Sequence, residues 1–369
     1  MREEVNAVRA GVIGLSCALR IQSLLSTAPS AQSTEVVVAS HEWPTSIPGA
    51  PPSHSPDYAS MWAGAHVRPI PASTPQLERE ARWLKETVVR FAQQLEEEPS
   101  IGLTRTKGVE FLDAPPVEYQ KQTKASFDSE TGLGGFRFLS QGEMPDGVKL
   151  GFEYDTFCMN SPVYCANLLR RFIAHGGKTA QRALKSEWEG FAIRLNVKLV
   201  VNASGAGFGD AKSFPTRGQT VITDYISATK TITRQNKDGT WSFIIPRFFN
   251  GGTIIGGTKE VGDWHTEASL ETRQWLLEGG CGLMLYAGNA SSSMTVDIAR
   301  PAVISDVVGR RPMREGGMRI EFEEKQAGIV LHAYGAGGRG FELSWGVANE
   351  VEGMVKELLP SFTAMRSKL

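Results

Sequence analysis

The sequence has no C-x-x-C pair, no apolar run of 18 residues, no internal repeat, no low-complexity tract and almost no net charge. Each absence narrows what the chain can be. The four cysteines, Cys17, Cys158, Cys165 and Cys281, stand far apart, which argues against a zinc centre and a disulfide framework and fits free thiols in a reducing compartment. Without a long apolar run there is no candidate spanning helix, and residues 1–25 lack the basic-then-apolar layout of a secretory signal. A soluble, intracellular protein that does not engage a membrane is therefore expected. The 39 Lys and Arg are balanced by 40 Asp and Glu, leaving no long-range field to draw nucleic acid. Small molecules are the expected partners.

What is present suits a globular chain of two domains. At 369 residues, with 41% hydrophobic and 21% charged residues, it is too long for one small core. The 39 glycines promise many tight turns. Near the start, AVRAGVIGLSCALRI at 7–21 holds Gly11 and Gly14 in the last two places of a G-x-G-x-x-G dinucleotide turn, with Arg9 in the first. A helical stripe through Leu15, Ala18, Leu19, Ile21 and Leu24 follows, then EVVVAS at 35–40, which has the run of a buried parallel strand. The strand before the turn is poor in β-formers, with only Val5 and Val8 favouring it. Taken alone, the segment fits a cofactor turn and ordinary turn chemistry equally well.

Farther on, proline-rich 44–56 is expected to be a loop. Thr74 and Pro75 open a helix with apolar residues at Leu77, Ala81, Leu84, Val88, Phe91 and Leu95. A second helix is expected over about 162–174, and KLVVNASGAG at 198–207 as a strand ending in glycines. FIIPR at 243–247 and GTIIGGT at 252–258 are expected to be neighbouring strands of a second, larger sheet, with a helix over about 269–287. A last glycine cluster, YGAGGRGFELSWG at 334–346, leads into a helix running to about 358. The chain ends Ser367-Lys368-Leu369, the form of a peroxisomal address read by an import receptor.

These segments together resemble the D-amino acid oxidase family of flavoproteins over nearly the whole length. AGVIGLSCAL is similar to the family's flavin-binding turn, DYASMWAGAHVRPIP at 57–71 to the segment passing the flavin ring, and VVNASGAG to the strand closing the cofactor domain. FPTRGQTV at 214–221 is similar to the return crossing and FIIPR…GGT to the pocket floor. VGRRPMREGGMRIE at 308–321 and HAYGAGGRGFELSWG at 332–346 resemble the two C-terminal signatures. The resemblance implies an α/β fold with a Rossmann-like FAD-binding domain (1–66, 160–215 and 300–369) and an α+β substrate-binding domain with a large mixed sheet (67–159 and 216–299). It implies FAD, bound without covalent attachment, and dioxygen as acceptor, and it admits a homodimer.

The activity implied is oxidative deamination of a D-amino acid to an imino acid and then a keto acid, with ammonia and hydrogen peroxide released. The alternatives are a tailoring oxidase of a larger amine and a non-catalytic flavin-binding relative. By the resemblance Arg311 grips the substrate carboxylate, as a planar fork can, the carbonyl of Gly338 accepts the substrate amine, and Phe243 lies in the pocket. It assigns Ala10, Gly11, Val12, Ile13, Gly14, Glu42, Ser60, Met61, Leu184, Ser204, Gly337, Gly340 and Phe341 to the cofactor, and no residue to a metal. Three positions depart from the pattern. Arg9 replaces the turn glycine, Ser40 or His41 stands where an acidic ribose ligand is expected, which makes Glu42 the nearest carboxylate, and Phe243 replaces a pocket tyrosine. Tyr225 lies near a second tyrosine position but out of register.

Overall fold

The chain was analysed as a computed structural model that describes residues 3–27, 34–45, 54–288 and 300–366. In chain order the strands are β1 (Glu3–Val8), β2 (Thr34–Ser40), β3 (Ala65–His66), β4 (Leu103–Leu112), β5 (Arg137–Phe138), β6 (Leu150–Met159), β7 (Lys178–Gln181) and β8 (Val197–Asn202). There follow β9 (Ser213–Thr223), β10 (Lys230–Gln235), β11 (Trp241–Pro246), β12 (Thr253–Gly256), β13 (Glu260–Val261), β14 (Val303–Arg314), β15 (Arg319–Lys325) and β16 (Gly328–Tyr334). The helices are α1 (Val12–Thr27), α2 (Ala59–Trp62), α3 (Pro75–Glu97), α4 (Val117–Gln120), α5 (Lys124–Thr131), α6 (Ser161–Ala174), α7 (Leu270–Ala287) and α8 (Gly340–Arg366).

The first of two units comprises Met1–Ser46, Cys165–Phe214 and Pro312–Leu369. Its sheet runs β15-β16-β8-β1-β2-β7. The β1–β2, β1–β8, β8–β16 and β2–β7 pairs are parallel, while β15 closes the edge antiparallel to β16. The weak β-formers of EEVNAV are overridden by place, because β1 is central and hydrogen-bonds on both sides. Successive strands leave β1 in opposite directions, first to β2 and later to β8, which makes its carboxyl end a switch point where such sheets bind ligands.

The second unit comprises Ile47–Tyr164 and Pro215–Arg311. Its ten-stranded sheet runs β13-β9-β12-β11-β10-β4-β6-β3, with β14 on β9 and β5 on β6. It is mixed: β10 and β4 are parallel, whereas β9, β12, β11 and β10 pair antiparallel in sequence. Alternation sorts its side chains. Val221, Ile232, Ile244 and Ile255 pack on one face against Leu276, Leu277, Leu283 and Met284 of α7. Burying each such side chain stabilises by about 1.5–3 kcal/mol, so α7 fixes which face is core. The opposite face is left for Thr220, Phe243 and their neighbours. Helix α3 begins as its sequence dictates, with the Thr74 hydroxyl accepting from Leu77 N at 3.2 Å and Pro75 in the first turn.

The unit boundaries differ from the expected ones at four places. Residues 47–66, 160–164, 215 and 300–311 fall in the second unit. The pairing of β3 with β6, the hydrogen bond from Tyr164 Oη to Gln94 Oε1 (2.8 Å) and the pairing of β14 with β9 account for this. Part of the proline-rich loop, 46–53, lies outside the described residues, as does the Ser367-Lys368-Leu369 end. The last helix runs past 358, to Arg366.

Candidate active site

In the first unit, the carboxyl ends of β1, β2, β8 and β16 carry most of the residues matched to the cofactor. The turn after β1 is pinned to β2 by Arg9 N donating to Ala39 O at 2.7 Å. Arg9 has φ 75°, a left-handed angle that favours glycine. The backbone has thus kept the shape of the glycine turn although its first glycine is gone. Gly14 serves the same geometry, because a Cβ there would run into the Arg9 carbonyl and would lie 3.5 Å from Ala203 Cβ.

The same edge gathers the C-terminal cluster. Gly335 N donates to Gly205 O at 3.0 Å, tying the end of β16 to that of β8. A Cβ on Gly340 would lie 3.6 Å from Val12 Cγ1, so the start of α8 stands beside the start of α1. Gly337 has φ 57° and packs over Met313, leaving no room for a side chain. Ser204 is buried, its N–H bonded to Asn202 Oδ1 and its hydroxyl accepting from Gly207 N. Ala10 to Gly14, Ser204, Gly337, Gly340 and Phe341 are therefore brought together within one unit. The N-terminal end of α1, with its backbone N–H groups and positive helix dipole, favours an anion, and the tight turn held by Gly14 and the bare backbone at Gly340 suit a dinucleotide phosphate.

Other assignments are more scattered. Strand β2 ends at Ser40, whose hydroxyl donates to Glu42 O at 2.6 Å, while the Glu42 carboxylate meets His41 Nε2 at 3.1 Å. Leu184 turns its side chain into the apolar cluster of Val200 and Val330, which leaves only its backbone for a ligand. Ser60 and Met61 sit on α2, in the second unit. Among the described residues, Glu187, Glu323 and His332 could meet around a metal. Glu323, however, is already bonded to Lys325 at 2.8 Å and Arg319 at 3.1 Å.

The second unit holds the residues matched to substrate, apart from Gly338, which lies in the first. Of the paired arginines in GRRP, Arg310 is structural, forked onto Asp57 at 2.7 and 2.8 Å. Arg311 is different. Its Nη1 donates to Thr258 O at 3.3 Å, and among the described residues no carboxylate forms an ion pair with it, since Glu260 pairs with Arg217 instead. Burial lowers its pKa from the ordinary arginine value. A buried guanidinium with open donors calls for an anion.

Cross-strand register shows what shares the face. Phe243 is opposite Thr233 and Gly256, Gly256 is opposite Thr220, and Thr233 is opposite Glu110. Gly218, two residues before Thr220, has the Arg311 guanidinium over it. Trp241, two residues before Phe243, has the Arg68 guanidinium 4.5 Å from its ring centroid. Arg68 is also 3.6 Å from Glu110. Thus Arg311, Thr220, Phe243, Trp241, Glu110 and Arg68 lie on the face not covered by α7. Sequence reasoning missed Arg68, Trp241 and Glu110, although the alternation of Trp241 and Phe243 already put those two on one side. The Phe243 ring tip rests on Gly256 and Gly257, so it forms an apolar floor. Tyr225 is no pocket tyrosine, because its hydroxyl donates to Met284 O of α7 at 3.1 Å.

A nucleotide-fitting edge in one unit and a half-buried arginine with open donors in the other suit a flavin-dependent oxidoreductase. The chain belongs to the family of FAD dependent oxidoreductases, whose model matches residues 10–353. It is 42% identical to a D-aspartate oxidase of Talaromyces thermophilus, over 94% of this chain and 93% of the relative. It is 28% identical to a D-amino-acid oxidase of Schizosaccharomyces pombe, over 94% of each. The fold is that of a glycine oxidase from Geobacillus kaustophilus, with TM-score 0.67 and 17% identity, covering 98% and 95% of the two chains.

FAD is the cofactor, and when bound it supplies the ring that accepts the substrate's α-hydrogen and two electrons before dioxygen reoxidises it. The protein's part is binding and aim. The turn at Arg9–Gly14 and the glycines at 335–340 fit the dinucleotide, and Arg311 offers a planar fork of a shape that suits a carboxylate.

Proposed function

We propose that the D-amino acid this flavoenzyme deaminates carries an acidic side chain, with D-aspartate the foremost substrate. The observation that carries this reading is the pair of guanidinium groups, Arg311 and Arg68, on the face of the second unit's sheet that also carries Phe243 and Trp241. The higher identity to a D-aspartate oxidase than to the D-amino-acid oxidases supports it. In this reading Arg311 holds the α-carboxylate. The products are the keto acid, ammonia and hydrogen peroxide. A further proposal is peroxisomal delivery through Ser367-Lys368-Leu369, in keeping with a peroxide-releasing oxidase; a fluorescent fusion lacking those residues should stay in the cytosol. The substrate test compares peroxide release from D-aspartate with that from D-asparagine, its uncharged isostere, and from D-alanine. The expected preference for D-aspartate in kcat/KM is about 100-fold, as two charge-assisted bonds would give. Equal or better turnover of D-asparagine sinks the reading.

A further inference from the structure

We infer that Arg68 is the specificity-determining residue of this active site, receiving the side-chain carboxylate of a dicarboxylic D-amino acid whose α-carboxylate is held by Arg311. The inference rests on the acidic-substrate reading above and names the group that would enforce it.

Placement comes first. Gly218 under Arg311 and Trp241 under Arg68 belong to β9 and β11, with β12 between them. Two strand spacings of about 4.8 Å put these anchors roughly 10 Å apart. In D-aspartate three carbon–carbon bonds separate the carboxyl carbons, a reach of about 4 Å. With one charge-assisted hydrogen bond of about 2.8 Å at each end, the reach of the substrate is of the same order as this strand spacing. Phe243, next to Trp241 on the same face of β11, offers its ring to the intervening methylene.

Preparation of the guanidinium comes second. Arg68 has its guanidinium over the Trp241 ring and 3.6 Å from Glu110, and its side chain is only 12% exposed. Stacking and an ion pair fix the fork before substrate arrives, so little side-chain entropy is lost on binding. Glu110 is itself 1% exposed, and burial raises its carboxyl to about 7. Near neutral pH part of the Glu110 population is protonated, and Arg68 then keeps its positive charge for a ligand. Lys259, beside Thr258, is exposed, and the inference gives it no part in recognition.

The test uses the FAD-loaded enzyme and two readouts. Arg68→Met keeps the length of the side chain and removes its charge. It should raise KM for D-aspartate at least about 30-fold, the loss expected when one partner of a desolvated charge pair is removed, and leave D-asparagine and D-alanine within about threefold. Calorimetric titration with succinate and butyrate supplies the second readout: the parent should bind succinate far more tightly, and Arg68→Met should bring the two together. Arg68→Lys should retain part of the preference. Because Arg68→Met leaves Glu110 buried beside an apolar chain, the double variant Arg68→Met/Glu110→Gln removes that complication and should behave the same. A parent that does not prefer D-aspartate overturns the acidic reading and this inference together. A parent that does, with a preference surviving in both Arg68 variants or lost in Lys259→Met, overturns the assignment of Arg68 alone.

Discussion

A Cβ built on Gly218 would lie 2.6 Å from Arg311 Nη2 and 2.7 Å from its Cζ. The guanidinium rests directly on bare backbone, and glycine at 218 sets how deep it can sit. Gly218→Ala should therefore move the end of a flexible side chain while sparing the sheet. The melting temperature should change by no more than about 2 °C, as for a substitution costing under about 0.5 kcal/mol. KM for the best D-amino acid should rise about tenfold or more, because small displacements of a positioning group are costly. A parental KM would mean that the close approach is not needed.

Arg9 makes the opposite case, a side chain where glycine belongs. Its φ of 75° costs a non-glycine residue roughly 1–2 kcal/mol. Arg9→Gly relieves that strain but adds unfolded-state freedom worth about 0.4–1 kcal/mol. The net expectation is a small gain in stability and FAD affinity unchanged or up to about fivefold tighter. Fluorescence titration of apoprotein with FAD reads it. A clear loss of affinity would show that the Arg9 guanidinium contacts the phosphates.

These two residues mark what was legible in the sequence. The turn at 9–14, the helix opened by Thr74 and Pro75 and the alternating strands at 243–247 and 252–258 were visible because local patterns of capping and period two set them. The six-stranded sheet's central strand was nearly missed, since pairing on both sides supplies what EEVNAV lacks. The Arg68–Trp241–Glu110 cluster was invisible for a different reason. Its members come from three strands or their flanks, far apart in sequence, and only register brings them to one face.

Flavin should leave the protein on denaturation. No histidine or cysteine lies in 9–14 or 335–340 to form a covalent link, and Cys17, the nearest thiol, is buried and pushed up to about 12, which keeps it protonated and unreactive. Precipitation with acid followed by absorbance of the supernatant measures release. Yellow colour retained in the pellet after full unfolding would contradict it.

Glu110 should make stability fall as pH rises. Its carboxyl is raised from 4.5 to about 7, mainly by burial and against the pull of Arg68 and the hydrogen bond from Tyr154. Between those two values the native state binds more protons than the unfolded chain, so the stabilising contribution is complete below about 4.5 and disappears as pH rises through about 7. At about 1.4 kcal/mol per unit the loss is at most about 3.5 kcal/mol. Thermal melts of the parent and Glu110→Gln from pH 5 to 8 should show the parent's decline flattened in the variant. Parallel curves would place the Glu110 titration outside this window.

Arg311 is expected to bear the α-carboxylate almost alone, because Phe243 presents no hydroxyl and Tyr225 is turned toward α7. Arg311→Ala should raise KM for every D-amino acid substrate, acidic or neutral, by 100-fold or more, on the order expected when a buried carboxylate loses its charged partner. Arg311→Lys should recover only part of this, since an ammonium cannot fork across both oxygens. Residues matched to the flavin's phosphates lie in the first unit and Arg311 in the second, so the bound-flavin spectrum should stay close to the parent's in both variants. The comparison with Arg68→Met is decisive, because that change should penalise only dicarboxylic substrates. Should Arg311→Ala spare neutral D-amino acids, the two arginines have exchanged roles, and Arg68 is the group that holds the α-carboxylate.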